Sequence, residues 1–165
     1  MLTKKICLLG SFSVGKTSLV ARFVQSVFSE EYLTTVGVKV DKKIVRSGDQ
    51  ECTLMIWDLA GDDDFQRMNV NFMRGSAGII YVADGTRPAS IDAVIDLRER
   101  VRTNLGDLPS VLALNKADLV DEWQVDEARV AQLHEGGWSA RKTSAKDGLN
   151  VEETFSELAS RMLSK

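Results

Sequence analysis

Histidine is nearly missing from this chain of 165 residues, and cysteine occurs twice, as Cys7 and Cys52. His134 lies far from both in sequence, so a thiolate–imidazole metal site is not expected. Each cysteine sits inside an apolar, strand-like run, which marks it as a reduced, buried thiol. His134 falls in the polar segment Gln132-Leu-His-Glu-Gly136 and is expected in solvent. Charge of one sign is also lacking: the net charge is −3, which does not indicate a nucleic-acid-binding surface. No apolar run approaches the roughly 20 residues that span a bilayer. Met1-Leu-Thr-Lys-Lys5 leads straight into the first apolar run without a signal-peptide pattern. Met1-Leu2 does not fit N-myristoylation, and Arg161-Met-Leu-Ser-Lys165 holds no cysteine for prenylation. A cytoplasmic protein without a direct lipid anchor is therefore expected. Internal repeats and low-complexity tracts are absent.

What is present is enough apolar material for a core, 44% of residues, in a length that suits one domain over 1–165. One stretch organises it. Gly10-Ser-Phe-Ser-Val-Gly-Lys16-Thr17 fits G-x-x-x-x-G-K-[ST] without mismatch. It follows the apolar run 5–9 and precedes 18–24, whose apolar residues recur at helical spacing. A strand-to-helix turn of this composition suits a polyphosphate. Gly10 and Gly15 let the backbone curl, so that N–H groups of Ser13, Val14, Gly15, Lys16, Thr17 and Ser18 form a nest. The following helix adds its positive dipole end. Lys16 supplies a point charge for the β- and γ-phosphates, and the Thr17 hydroxyl a ligand for Mg²⁺.

Farther along, 26–35 is polar and reads as a loop. Residues 37–46 and 51–57, separated by the turn signal Ser47-Gly-Asp-Gln50, read as an antiparallel hairpin. The polar segment 62–75 has weak periodicity and suits an irregular helix. Strands are expected at 77–83, 110–114 and 138–143. Helices are expected from Pro88, over 125–135 and over 149–163. This alternation predicts an α/β fold: a mostly parallel, six-stranded sheet with one antiparallel strand, covered by helices on both faces. Ligands of such sheets bind at the carboxyl ends of the strands.

Further candidates stand at such ends. Asp58 is placed for the Mg²⁺-linked carboxylate that a phosphate site needs, and Gly61 for a backbone N–H on a terminal phosphate. In Asn115-Lys-Ala-Asp118, a carboxylate can accept from the N1–H and 2-amino group of guanine. Adenine has neither donor, so Asp118 would be left unpaired against it. The alternative is a loop with a helix-capping aspartate. In Thr143-Ser-Ala-Lys146, the Ala145 N–H is placed for guanine O6; Ser144 and Lys146 complete that loop.

The ordered set GSFSVGKT, Thr35 in LTTVG, WDLAG, NKAD and TSAK resembles the Ras superfamily of small GTPases over essentially the whole chain. Trp57 before DxxG and the stretch TTVGVKV are most similar to its Rab-like branch. The resemblance implies a P-loop G domain that binds GTP or GDP with Mg²⁺ and hydrolyses GTP. It implies that Thr35 reaches Mg²⁺ and the γ-phosphate in the GTP state only, and that Phe28 packs edge-on against guanine. Asn115 would tie the base loop to the phosphate loop, and the Lys116 stem would cover the base. Residues 28–38 and 60–75 would be switches. Exchange factor, GTPase-activating protein and effector are expected at residues 30–45 and 60–75 of a monomer.

Three departures qualify this. Where the family usually has a glutamine that orients water, this chain has Asp62, followed by Asp63 and Asp64. A short anion there faces a transition state rich in negative charge, so slow intrinsic hydrolysis is expected. A hydrolysis-deficient GTP-binding scaffold is the alternative that Asp62 keeps open. Phe12 replaces a small residue near the γ-phosphate, where it either crowds an activating arginine or folds outward. A lipid-acceptor cysteine, general in eukaryotic Rab-like proteins, is lacking; a clipped chain and a soluble, prokaryotic member both account for that.

Overall fold

Along the central strands, odd and even positions send their side chains into two different cores. On the strand containing Ile79 to Ala83, Ile80 and Val82 face one way; Ile79, Tyr81 and Ala83 face the other, all buried. Continuous burial on both faces requires a helical layer on each side. The computed structural model supplies both; it describes residues 2–11, 13–24, 30–33, 39–58 and 70–164.

The elements follow as β1 (Leu2–Leu9), α1 (Lys16–Val24), β2 (Glu30–Leu33), β3 (Lys39–Ser47), β4 (Gln50–Asp58), β5 (Ser76–Asp84), α2 (Pro88–Leu105), β6 (Ser110–Asn115), α3 (Glu127–Glu135), β7 (Ala140–Lys142) and α4 (Val151–Leu163). The strands form one sheet in the order β2-β3-β4-β1-β5-β6-β7. β1 pairs in parallel with β4 and β5, and the parallel run continues through β6 to β7. β3 is antiparallel to β4 and forms the expected hairpin with it.

The six expected strands are all there, and one short edge strand joins them. Residues 26–35 read as a loop, but Glu30–Leu33 pairs antiparallel with Lys39–Lys42 of β3. Local periodicity could not signal it, because the open edge of β3 provides the pairing. The last strand is shorter than 138–143: Trp138 instead turns into the core, edge-on to Tyr81 with ring centroids 5.1 Å apart. α3 starts at Glu127 rather than Val125, because the Asp126 carboxylate accepts from the Arg129 N–H at 2.8 Å and caps it. α4 starts at Val151, after Asn150 in a left-handed conformation, and leaves Leu149 exposed. Of the segment 62–75, Val70–Met73 is a single 3₁₀ turn. Lys5 holds its end, donating to the carbonyls of Phe72 at 2.5 Å and Arg74 at 2.9 Å while lying 3.8 Å from the Trp57 ring centroid.

α1 and α4 cover one face and α2 and α3 the other. Cys7 and Cys52 are buried, unlinked thiols, and His134 is exposed. On the first face Phe23 of α1 stacks on Phe155 of α4, centroids 3.8 Å apart and planes 2° from parallel. Both rings are essentially inaccessible. Phe155→Ala is therefore expected to cost about 3–5 kcal/mol, read as a lower urea midpoint at unchanged slope.

Candidate functional site

The chain leaves β1 at the point where the strand order reverses, with β4 on one side and β5 on the other. Such a switch point opens a crevice at the carboxyl ends of the strands. Gly10 sits there against β5: a Cβ on it would lie 2.3 Å from the Val82 carbonyl oxygen. The loop then curls through positive φ at Ser13 (63°) and Gly15 (101°). The Gly15 carbonyl accepts from the Leu19 N–H at 2.9 Å, closing the first turn of α1. Val14 is buried and Ser18 is exposed on the helix.

Lys16 is buried and donates from Nζ to the Gly10 carbonyl at 2.9 Å, lying back over its own loop. Thr17 Oγ1 donates to Asp58 Oδ2 at 2.5 Å. Asp58 ends β4 opposite Leu8, which brings it to the phosphate loop from 41 residues away. Its carboxylate is buried, and Oδ1 has no hydrogen-bond partner among the described residues. An unpaired buried carboxylate oxygen is costly. Beside a hydroxyl it fits a hydrated Mg²⁺, which is usually held through one or two carboxylates and keeps several waters. Among the described residues no three His, Cys, Asp or Glu side chains gather to hold a metal by themselves.

The other wall is built from the ends of β6 and β7. Asn115 Nδ2 donates to the Val14 carbonyl at 3.0 Å, and its Oδ1 accepts from Thr143 Oγ1 at 3.1 Å. One buried amide thus joins the phosphate loop, the β6 end and the β7 end. Lys116, with φ of 71°, donates from Nζ to the Ser13 carbonyl at 2.8 Å. Ser144 Oγ donates to Asp118 Oδ1 at 2.8 Å and accepts from the Asp147 N–H at 3.0 Å. Asp118 is only half-buried, as are Ala145 and Lys116, while Lys146 is exposed. Phe12, Phe28, Thr35, Gly61 and Asp62, with most of both expected switch segments, lie outside the described residues.

Sequence reasoning missed Asp84. It ends β5 beside Asn115 in register, is buried, and pairs with Lys116 at 3.1 Å. A signal was available: of the strands in the parallel run, β1, β4, β6 and β7 are each followed by a motif, and β5 is not. Burial by itself would raise the Asp84 pKa. Hydrogen bonds from the Thr86 hydroxyl and N–H, and from Lys116 and Arg87, outweigh it and hold the pKa below the usual value.

A crevice at a switch point, a glycine-curled loop opening a helix, and strand-end carboxylates on both sides suit a nucleotide. Comparison with known proteins decides which kind. The Ras family model matches residues 5–164. The chain belongs to the Ras family. It is 35% identical to human Ras-related protein Rab-3A over 156 residues, 93% of this chain and 71% of that one. It is 36% identical to Ras-related protein Rab-3C of Mus musculus, covering 93% and 69%. It is 37% identical to human Ras-related protein Rab-7b over 171 aligned residues, 98% and 83%. This Ras-family chain is thus a Rab-like, GTP-binding GTPase of the small G-protein type, and its sheet is a P-loop G domain. No helix among its described residues is long and apolar enough to cross a membrane.

Proposed function

We propose that this Ras-family GTPase is a Mg²⁺-dependent switch that hydrolyses GTP slowly by itself and relies on an activating partner. The observation that carries this reading is the Thr17–Asp58 pair, with the unpartnered Asp58 Oδ1 beside it in the phosphate-loop crevice. Thr17 and Thr35 would hold the ion directly, with Asp58 beside them. When bound, Mg²⁺ neutralises charge on the β- and γ-phosphate oxygens.

This chain's own groups do the rest. Backbone N–H groups over 13–18 orient the phosphates, and Lys16 leaves the Gly10 carbonyl for the β- and γ-phosphates. Asp118 and the Ala145 N–H read guanine, Phe28 and the Lys116 stem flank it, and Ser144 and Lys146 shape that loop. The Gly61 N–H meets the γ-phosphate. Water attacks the γ-phosphorus, the bond to the β–γ bridging oxygen breaks, and GDP and inorganic phosphate leave. Asp62 contacts that water but adds negative charge where it is least favourable. Exchange factor, activating protein and effector would meet the protein at 30–45 and 60–75, in the cytoplasm, with the chain a monomer.

Single-turnover phosphate release from GTP-loaded protein tests this. Asp62→Gln is expected to raise the rate on the order of tenfold, a fraction of the ~10²–10³ that one transition-state donor supplies. An unchanged or lower rate removes the role given to Asp62. If both forms keep GTP for hours, even with cell extract added, the chain is a GTP-holding scaffold. Asp62 is the residue that favours that second reading.

A further inference from the structure

We propose that Asp84 is a positioning residue for nucleotide retention: it fixes the Lys116 ammonium and so sets how slowly guanine nucleotide leaves. The proposal rests on the placement of the Lys116 stem over the base given above.

The two carboxylate oxygens of Asp84 have separate duties. Oδ1 accepts from the Thr86 N–H at 2.8 Å and the Thr86 hydroxyl at 2.7 Å, closing the turn after β5. Oδ2 lies 3.1 Å from both Arg87 Nε and Lys116 Nζ. Asp84 is 1% exposed, and a buried charge is tolerated only when paired and hydrogen-bonded. The turn needs only one acceptor oxygen, and a neutral side chain offers that. The second oxygen is where a full charge matters.

Lys116 has reason to need such a hold. Its backbone sits at φ 71°, a region L residues enter at a cost of about 1–2 kcal/mol. Its side chain is about a third exposed, so water competes for the ammonium. The Ser13 carbonyl, at 2.8 Å, is one anchor, and Asp84 Oδ2 is the other. Both anchors hold the ammonium, so the four-carbon stem is fixed at its tip between the phosphate loop and the end of β5 as well as at its root after β6. Without the carboxylate, one neutral carbonyl competes alone against solvent for a flexible chain. The end of β5 is itself tied to the base loop, since the Gly85 N–H donates to the Asn115 carbonyl at 2.9 Å. Asp84 thus belongs to the same rigid frame as Asn115.

The test is the dissociation rate of a fluorescent GDP, chased with excess GDP, in a double-mutant cycle. Asp84→Asn keeps the shape and an acceptor for Thr86 and removes the charge; release is expected to quicken about tenfold. Lys116→Met is expected to quicken release at least as much. Combined with Lys116→Met, Asp84→Asn should add nothing. Thr86→Val, which disturbs only the Oδ1 side, should stay within about threefold of the parent. The proposal is overturned if Asp84→Asn stays within twofold of the parent, if the two effects multiply, or if Thr86→Val matches Asp84→Asn. If Lys116→Met leaves release unchanged, the placement of its stem over the base fails instead, and the proposal with it. A measurement without any Asp84 variant guards against misfolding. Lysine side-chain ¹⁵N NMR of the parent GDP complex should show a protected ammonium signal that vanishes in Lys116→Met. Its absence would equally sink the pairing.

Discussion

Asp118→Asn should lower affinity for GDP by roughly 10²–10⁴-fold and move preference toward xanthine nucleotides. A carboxylate accepts two hydrogen bonds, from the N1–H and the 2-amino group of guanine. Hydrogen bonds to a charged group are worth about 1.5–3 kcal/mol each, and each 1.4 kcal/mol is tenfold. An asparagine offers one acceptor and one donor. Its NH₂ would meet the guanine amino group, donor against donor, whereas xanthine presents a carbonyl oxygen at that position. Ser144 Oγ, which donates to Asp118 Oδ1 at 2.8 Å, fixes the side chain from behind, so it cannot swing away to escape the mismatch. Competition of GDP and XDP against a fluorescent guanine nucleotide measures both halves of the prediction. Equal GDP affinity in parent and variant would show that Asp118 does not read the base.

Gly15→Ala is the second large effect, and it acts through shape. Gly15 has φ of 101°, where an L side chain is strained. The added Cβ would also stand 2.3 Å from Asn115 Nδ2. That atom cannot simply yield. It donates to the Val14 carbonyl, and its amide partner Oδ1 accepts from Thr143. Relief requires either the loop to uncurl, which turns its N–H groups away from the phosphates, or Asn115 to leave, which frees the base loop from the phosphate loop. Both routes strike nucleotide binding. Strain of about 1–3 kcal/mol plus one lost buried hydrogen bond of ~1 kcal/mol predicts roughly 30- to 1,000-fold weaker GDP binding. Thermal unfolding without nucleotide should fall as well, by a few degrees, since Val14 beside Gly15 is packed into the core under α1 and α4. Binding within threefold of the parent would mean that the curl at Gly15 is dispensable.

Motif and periodicity revealed a large part of this. Gly10 to Thr17 could be placed between a strand and a helix because glycine, lysine and threonine at that spacing have few other uses. The buried strands 77–83 and 110–114 declared themselves by unbroken apolar runs. Elements whose reason lies elsewhere in the chain were harder to see. Glu30–Leu33 has no strand periodicity and is a strand because β3 has an edge to offer. Trp138 looked like the start of a strand, yet its ring is taken up by Tyr81 in the core. Asp84, one position past the expected strand 77–83, belongs to no local motif, because its partner Lys116 is 32 positions away and arrives only when β5 and β6 pair.

The chain alone pointed to a ligand with phosphates. A phosphate cradle needs contiguous backbone, and the carboxylate proposed to read the base needs a short loop; both are written as local strings of residues. Which side chains meet was decided by folding. Thr17 finds Asp58, Asn115 finds Val14, and Lys116 finds Asp84 and Ser13 because parallel strands deliver their carboxyl ends to one edge of the sheet. Chemistry carried by neighbours in sequence survives in the sequence; chemistry shared between distant strands exists only once the sheet has set their register.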